Sequence, residues 1–186
     1  MKATEILMSE HQVILRMIAA LEKATDLLEA GQPVPPQLFI EASDFIKGFA
    51  DGCHHKKEEG VLFKAMGENG MPSSGGPVAV MLAEHEAGRA FNRGMRAAAE
   101  KLAAGDPSAA QEVIRNARGY AALLTQHIAK ENQVLFPMAD KVIPVGKHAA
   151  VMEGFEHVEH EETGEGVHEK YLALVAQIEK EVSGLA

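Results

Sequence analysis

Apolar residues recur along this chain at helical spacing, and strand signals are nearly absent: aromatics are few, β-branched runs are few, and Ala, Glu, Leu and Met abound. Leu7, Ile14, Leu15 and Ile18 form one such stripe, and Leu123, Leu124 and Val134 belong to another. Helix punctuation divides the pattern. The first helix is expected to start with Thr4 as N-cap and to end before Gly31, where Gln32-Pro33-Val34-Pro35-Pro36 breaks it. The second opens near Pro36 and ends about Met66, ahead of a loop over residues 67–76 rich in Gly, Ser and Pro. Pro77 suits the first position of a third helix that runs to about Ala104. Gly105-Asp106-Pro107 makes a turn with Asp106 as cap, and a fourth helix reaches about Asp140, where Pro137 should kink or end it.

Four helices of about 25 to 30 residues with short connections predict an all-α fold, an up-down-up-down four-helix bundle. Each would be roughly 40 Å long. The expected division is a bundle over residues 1–141 and a C-terminal helical extension over residues 142–186 packed on it. The clearest helix of the extension covers residues 166–182, with Tyr171, Leu172, Leu174, Val175 and Ile178 on its apolar face.

Composition narrows the function. A length of 186 residues suits one domain with a real core. The net charge of −9 argues against nucleic acid, which needs a basic footprint. No apolar run approaches a membrane span, and the N-terminus lacks a signal-peptide core. Cys53 is the sole cysteine, so no internal disulfide forms and a reducing, cytoplasmic setting is expected.

The informative feature is a duplication. His54-His55-Lys56-Lys57-Glu58-Glu59-Gly60-Val61-Leu62-Phe63 matches His127-Ile128-Ala129-Lys130-Glu131-Asn132-Gln133-Val134-Leu135-Phe136 in His, in Lys at +3, in Glu at +4 and in a trailing Val-Leu-Phe. Two further histidines share a Glu-His context, Glu10-His11 and Glu84-His85. His11 precedes His54 by 43 residues and His85 precedes His127 by 42. Each half thus supplies one lone His and one His-x-x-x-Glu. Positions i and i+4 lie one helical turn apart on one face, so His and Glu can reach one ion together, or the carboxylate can bridge two. Imidazole with carboxylate suits iron, manganese or zinc. The candidate ligands are His11, His54, Glu58, His85, His127 and Glu131.

A lone helical His is ordinarily a surface or satisfied core residue, and His-x-x-x-Glu arises readily in an acidic chain. His157 and Glu161 form another instance, read as a solvated face, as are His148, His160 and His168, with a minor surface metal site at His157 and His160 as the alternative. The correlation of two long strings, two Glu-His contexts and equal spacing sets the first group apart.

That pattern resembles the hemerythrin family, in the branch of HHE cation-binding domains, over about residues 4 to 141. The resemblance implies a four-helix bundle holding two non-haem iron ions (Fe2+/Fe3+), bridged by Glu58, Glu131 and an oxo or hydroxo group. It implies His11, His54, His85 and His127 as the histidine ligands. Oxygen-carrying hemerythrins place another His one turn after the third-helix His, where this chain has Arg89; an open position on both irons is therefore expected. The doubled His54-His55 and Glu58-Glu59 offer two registers, of which His54 and Glu58 match the second half; His55 and Glu59 are expected around the site or at the surface. The implied partner is a small diatomic molecule such as dioxygen or nitric oxide, or peroxide, in sensing, storage or detoxification. The residues specify no catalysed reaction and no oligomeric state.

Competing readings fare worse. A ferritin-like carboxylate di-iron oxidase or iron store needs Glu-x-x-His on bundle helices, but Met8, Asp51, Leu82 and Leu124 stand three before the four histidines. A zinc hydrolase of the His-Glu-x-x-His type fails at Arg89. A purely structural bundle would purify colourless. Cys53 reads as a small buried hydrophobe, Glu10 and Glu84 point about 100° from their neighbouring histidines, and Tyr120 lies on the His127 stripe.

Overall fold

The apolar stripes fold as helices throughout residues 2–185, which a computed structural model describes, and no strand occurs among them. The chain runs through α1 (Ala3–Glu29), α2 (residues 36–68), α3 (Gly76–Ala103), α4 (residues 110–142), α5 (residues 148–163) and α6 (Val167–Gly184). Gly31 and Gly105, at φ 76° and 96°, take the left-handed conformation that lets the chain leave α1 and α3. The Asp106 carboxylate accepts from the Ser108 backbone N–H at 3.0 Å, as a cap should. Thr4 is not a cap. The helix already begins at Ala3, the Lys2 backbone N–H donates to Glu5 at 2.8 Å, and the Thr4 hydroxyl donates instead to Asp140 of α4.

α2 and α4 contain wide, π-helical turns at Ile46–His55 and Glu58–Leu62, and at Glu131–Leu135. Such turns carry i→i+5 hydrogen bonds and gather at functional sites. Here they bracket both His-x-x-x-Glu strings. Of the two expectations for Pro137, an end to α4 is not seen: the helix continues over Phe136–Val142. The wide turn has already displaced the α-helical ladder that the missing N–H would have joined.

α1 packs on α4 and α6, α2 on α3 and α6, and α3 on α4. α5 lies over α1 and α2. Two apolar clusters result. One joins Ile14, Phe45, Met95 and Leu124 with Val175, Ile178 and Val182 of α6. The other joins Leu7, Leu62, Met81 and Leu135 with Val151 and Phe155 of α5. Each buried large side chain contributes about 1.5–3 kcal/mol relative to exposure. His11 sits on α1 between Leu7 of one cluster and Ile14 of the other, and His85 sits on α3 between Met81 and Met95. The histidines therefore form a polar layer between two apolar ones. No helix among the described residues is long and apolar enough to cross a membrane.

Candidate metal centre

α1, α2, α3 and α4 bring all six candidate ligands into that layer, each no more than 1% exposed. They fall into two groups. His11, His54, Glu58 and Glu131 each offer one atom, and these atoms lie within 4.8 Å of one another. His55, Glu58, His85 and His127 form a second group by the same measure. The carboxylates span both. Glu58 turns Oε1 to His54 Nε2 and Oε2 to His85 Nε2, each at 3.4 Å. Glu131 turns Oε2 to His11 Nε2 at 3.1 Å and Oε1 to His127 Nε2 at 3.2 Å.

His55 is the ligand-type residue that sequence reasoning placed outside. It is 3% exposed, its ring stacks on His85, and it adds a third imidazole to the second group. Adjacent residues on a helix differ by about 100°, and the two registers of the doubled string are not alternatives. His54 faces one group and His55 the other. The two groups therefore differ where the sequence had suggested symmetry: that of His55, His85 and His127 has three imidazoles, and that of His11 and His54 has two. Arg89 lies outside this ring and pairs with Glu59, Glu86 and Asp51.

Every imidazole is aimed inward by the same device. Nδ1 of His54 meets Glu10 at 2.9 Å, that of His55 meets Asp51 at 2.9 Å, and that of His85 meets Glu59 at 2.7 Å. His127 Nδ1 meets Glu84 at 2.9 Å and His11 Nδ1 meets the Asn132 carbonyl oxygen at 2.8 Å. A carboxylate or amide oxygen only accepts, so each of these Nδ1 atoms carries a hydrogen, and the neutral form of each ring has its lone pair on Nε2, toward the centre. This is the tautomer of a metal ligand, oriented and made more basic by its outer partner.

The shared Lys, Glu and Phe of the repeated string each have a role at the site. Lys at +3, Lys57 or Lys130, binds the same glutamate, Glu10 or Glu84, that holds the histidine of its own string. Glu at +4 spans the two groups. Phe at +9 stacks on a lone histidine of a neighbouring helix: Phe63 on His85, and Phe136 on His11. Glu10 and Glu84 point away from His11 and His85, as expected, because they serve histidines on the next helix.

The donor set fits a cation. His11 Nε2, His54 Nε2 and all four oxygens of Glu58 and Glu131 are buried without a hydrogen-bond partner among the described residues. Leaving so many polar atoms unmatched costs about 1–3 kcal/mol each. Burial opposes charge on His54, yet Glu58 and Glu10 lift its imidazole to about 10. Glu58 and Glu59 lift His85 to about 9, again against its burial. Burial and the neighbouring imidazoles push His55 well down. The paired carboxylates thus demand positive charge between them, which protons or metal ions can supply.

Glu10, Cys53 and His168 also approach one another, but the Lys57 ammonium already stands against Glu10. Cys53 is 1% exposed and burial raises its thiol to about 11, which suits a small core residue and not a reactive one. His157 and His160 are exposed and join no such group among the described residues; His148 and His168 are half-buried, so the expectation of a solvated face fails for these two.

Two uncharacterized proteins of Mycobacterium tuberculosis and one of Mycobacterium bovis are each 28% identical over 178 residues, which is 96% of this chain and 69% of theirs. No solved structure matches. Residues 2–139 match the hemerythrin HHE cation binding domain, and the chain belongs to that family.

Proposed function

We propose that this chain is a di-iron protein of hemerythrin type whose metal pair takes up or senses a small molecule, dioxygen, nitric oxide or peroxide. The observation that carries the reading is the convergence of five imidazoles, each tied down at Nδ1, on two shared carboxylates. Nitrogen-rich donors bridged by carboxylates suit iron and speak against the carboxylate-rich set of a ferritin-like oxidase. When bound, an iron pair supplies the electrons and the coordination position that a diatomic ligand needs. His55, His85 and His127 would hold one ion and His11 and His54 the other, with Glu58 and Glu131 between them. The group with two imidazoles is poorer in protein donors, so its ion is the one with room for the small ligand. Phe63, Phe136 and Leu7 keep water away from this layer.

In this reading the four helices α1 to α4 make an up-down-up-down bundle over residues 1–141, and residues 142–186 are an extension that shares its cores. A reducing cytoplasmic setting suits the free thiol of Cys53 and ferrous iron, and binding or sensing is favoured over turnover. Metal analysis with an absorption spectrum of freshly purified protein tests the proposal. Two irons per chain and the near-ultraviolet bands of an oxo- or hydroxo-bridged diferric pair are expected. Stoichiometric zinc alone, from cells grown with ample iron, would refute it.

A further inference from the structure

The two halves of the centre are built alike but finished differently. In the second half, Lys130 binds Glu84 and Glu84 holds His127; Lys130 is 43% exposed and Glu84 18%. In the first half, Lys57 binds Glu10 at 2.5 Å and Glu10 holds His54, yet Lys57 is 0% exposed and Glu10 3%. The difference is Glu159 on α5, whose carboxylate meets the Lys57 ammonium at 2.8 Å from the solvent side. A lysine so buried is stable only if paired, and Glu159 supplies the second partner. Val61 tells the same story: it lies under Gly154 of α5, whereas its counterpart Val134 is 51% exposed.

We propose that Glu159, outside the matched family region, is a positioning residue of the metal centre: through Lys57 and Glu10 it fixes His54 and governs retention of the ion at His11 and His54. The inference rests on the metal-pair reading above. Its physical basis is a continuous chain of charged hydrogen bonds, Glu159 to Lys57 to Glu10 to His54, each link holding the next in one rotamer. Without Glu159, the Lys57 ammonium keeps Glu10 as its one carboxylate partner, and Glu10 is then held by a lysine less firmly placed than before. His54 then swings more freely. The ion most affected is the one with only two imidazoles, because it has the fewest other protein donors. Glu162, on the same helix, pairs with Lys56, which is 41% exposed and leads to no ligand. It is the internal control.

The test is anaerobic release of ferrous iron from the fully loaded, full-length protein to a colorimetric chelator, followed with time. Glu159→Gln should accelerate departure of half of the iron by up to about 10-fold, the low end of what loss of a ligand's direct partner costs, and leave the other half at its original rate. Glu159→Asp, which keeps the charge, should lie closer to the unmodified protein. Glu162→Gln should change nothing. Helical circular dichroism of each variant keeps a folding defect apart from an effect on the metal. Unchanged release in a folded Glu159→Gln, equal acceleration of both halves, or the same effect from Glu162→Gln overturns the proposal. An unmodified protein that never takes up two irons brings down the metal-pair reading itself.

Discussion

His55 lies flat against His85, with ring centroids 3.8 Å apart and planes 17° from parallel. The two belong to different helices, and their Nδ1 atoms are held by Asp51 and Glu59, both of which Arg89 contacts. The stack thus joins two imidazoles, two carboxylates and one guanidinium into a single wall of the metal layer.

On the metal-pair reading, His55→Ala should lower the metal content by weakening the ion at His85 and His127, which would be left with two imidazoles as its neighbour is. His54→Ala should remove the other ion. Metal analysis of both variants decides between this and a peripheral His55, for which the content would stay at the unmodified level.

Glu131→Ala is expected to empty the centre, with an affinity loss beyond the roughly 10- to 100-fold that follows removal of an outer partner. Its two oxygens face the two groups, at His11 and at His127. Glu161→Ala, on the exposed part of α5, should bind metal normally. Equal loss in both would place the site elsewhere.

Arg89→His should not add a ligand. Arg89 is tied to Asp51, Glu59 and Glu86 on the outside of the ring, so its removal frees the partners of His55 and His85. Metal affinity at that end should fall about 10-fold. Titration with ferrous iron would expose the opposite result, a gain in affinity, if a new imidazole reached the centre.

Two glycines near the α2–α5 contact should respond with opposite signs. A Cβ at Gly154 would come within 2.6 Å of a Val61 methyl, and a β-branched side chain yields little, so Gly154→Ala should destabilise the fold by about 1–3 kcal/mol. Gly60 has open space around its Cβ position and a Gln in the matching place of the second string. Gly60→Ala should stabilise by about 0.4–1 kcal/mol. Denaturant titrations of the two variants would show both changes.

Much of this was legible in the chain itself. Apolar periodicity and the Gly and Pro breakers located α1 to α4 within a few residues, because both act locally. The duplication picked out His11, His54, Glu58, His85, His127 and Glu131, because one ligand geometry repeated in two halves leaves the same residues at the same spacing. The failure at Thr4 and the continuation of α4 past Pro137 were also local in origin. A hydroxyl found a carboxylate on another helix, and a wide turn removed the ladder that proline would have broken.

What the sequence determined by itself was direction: helical spacing says toward which side of its own helix a residue points. It could not say what waits there. That His55 meets the second metal group, that Glu10 serves His54 and Glu84 serves His127, and that Glu159 reaches Lys57 across 102 positions of chain were decided by how the helices pack. The physical reason is that a side chain's angle is set by the backbone within one turn, whereas its partner is set by a neighbouring helix whose register only the assembled core fixes.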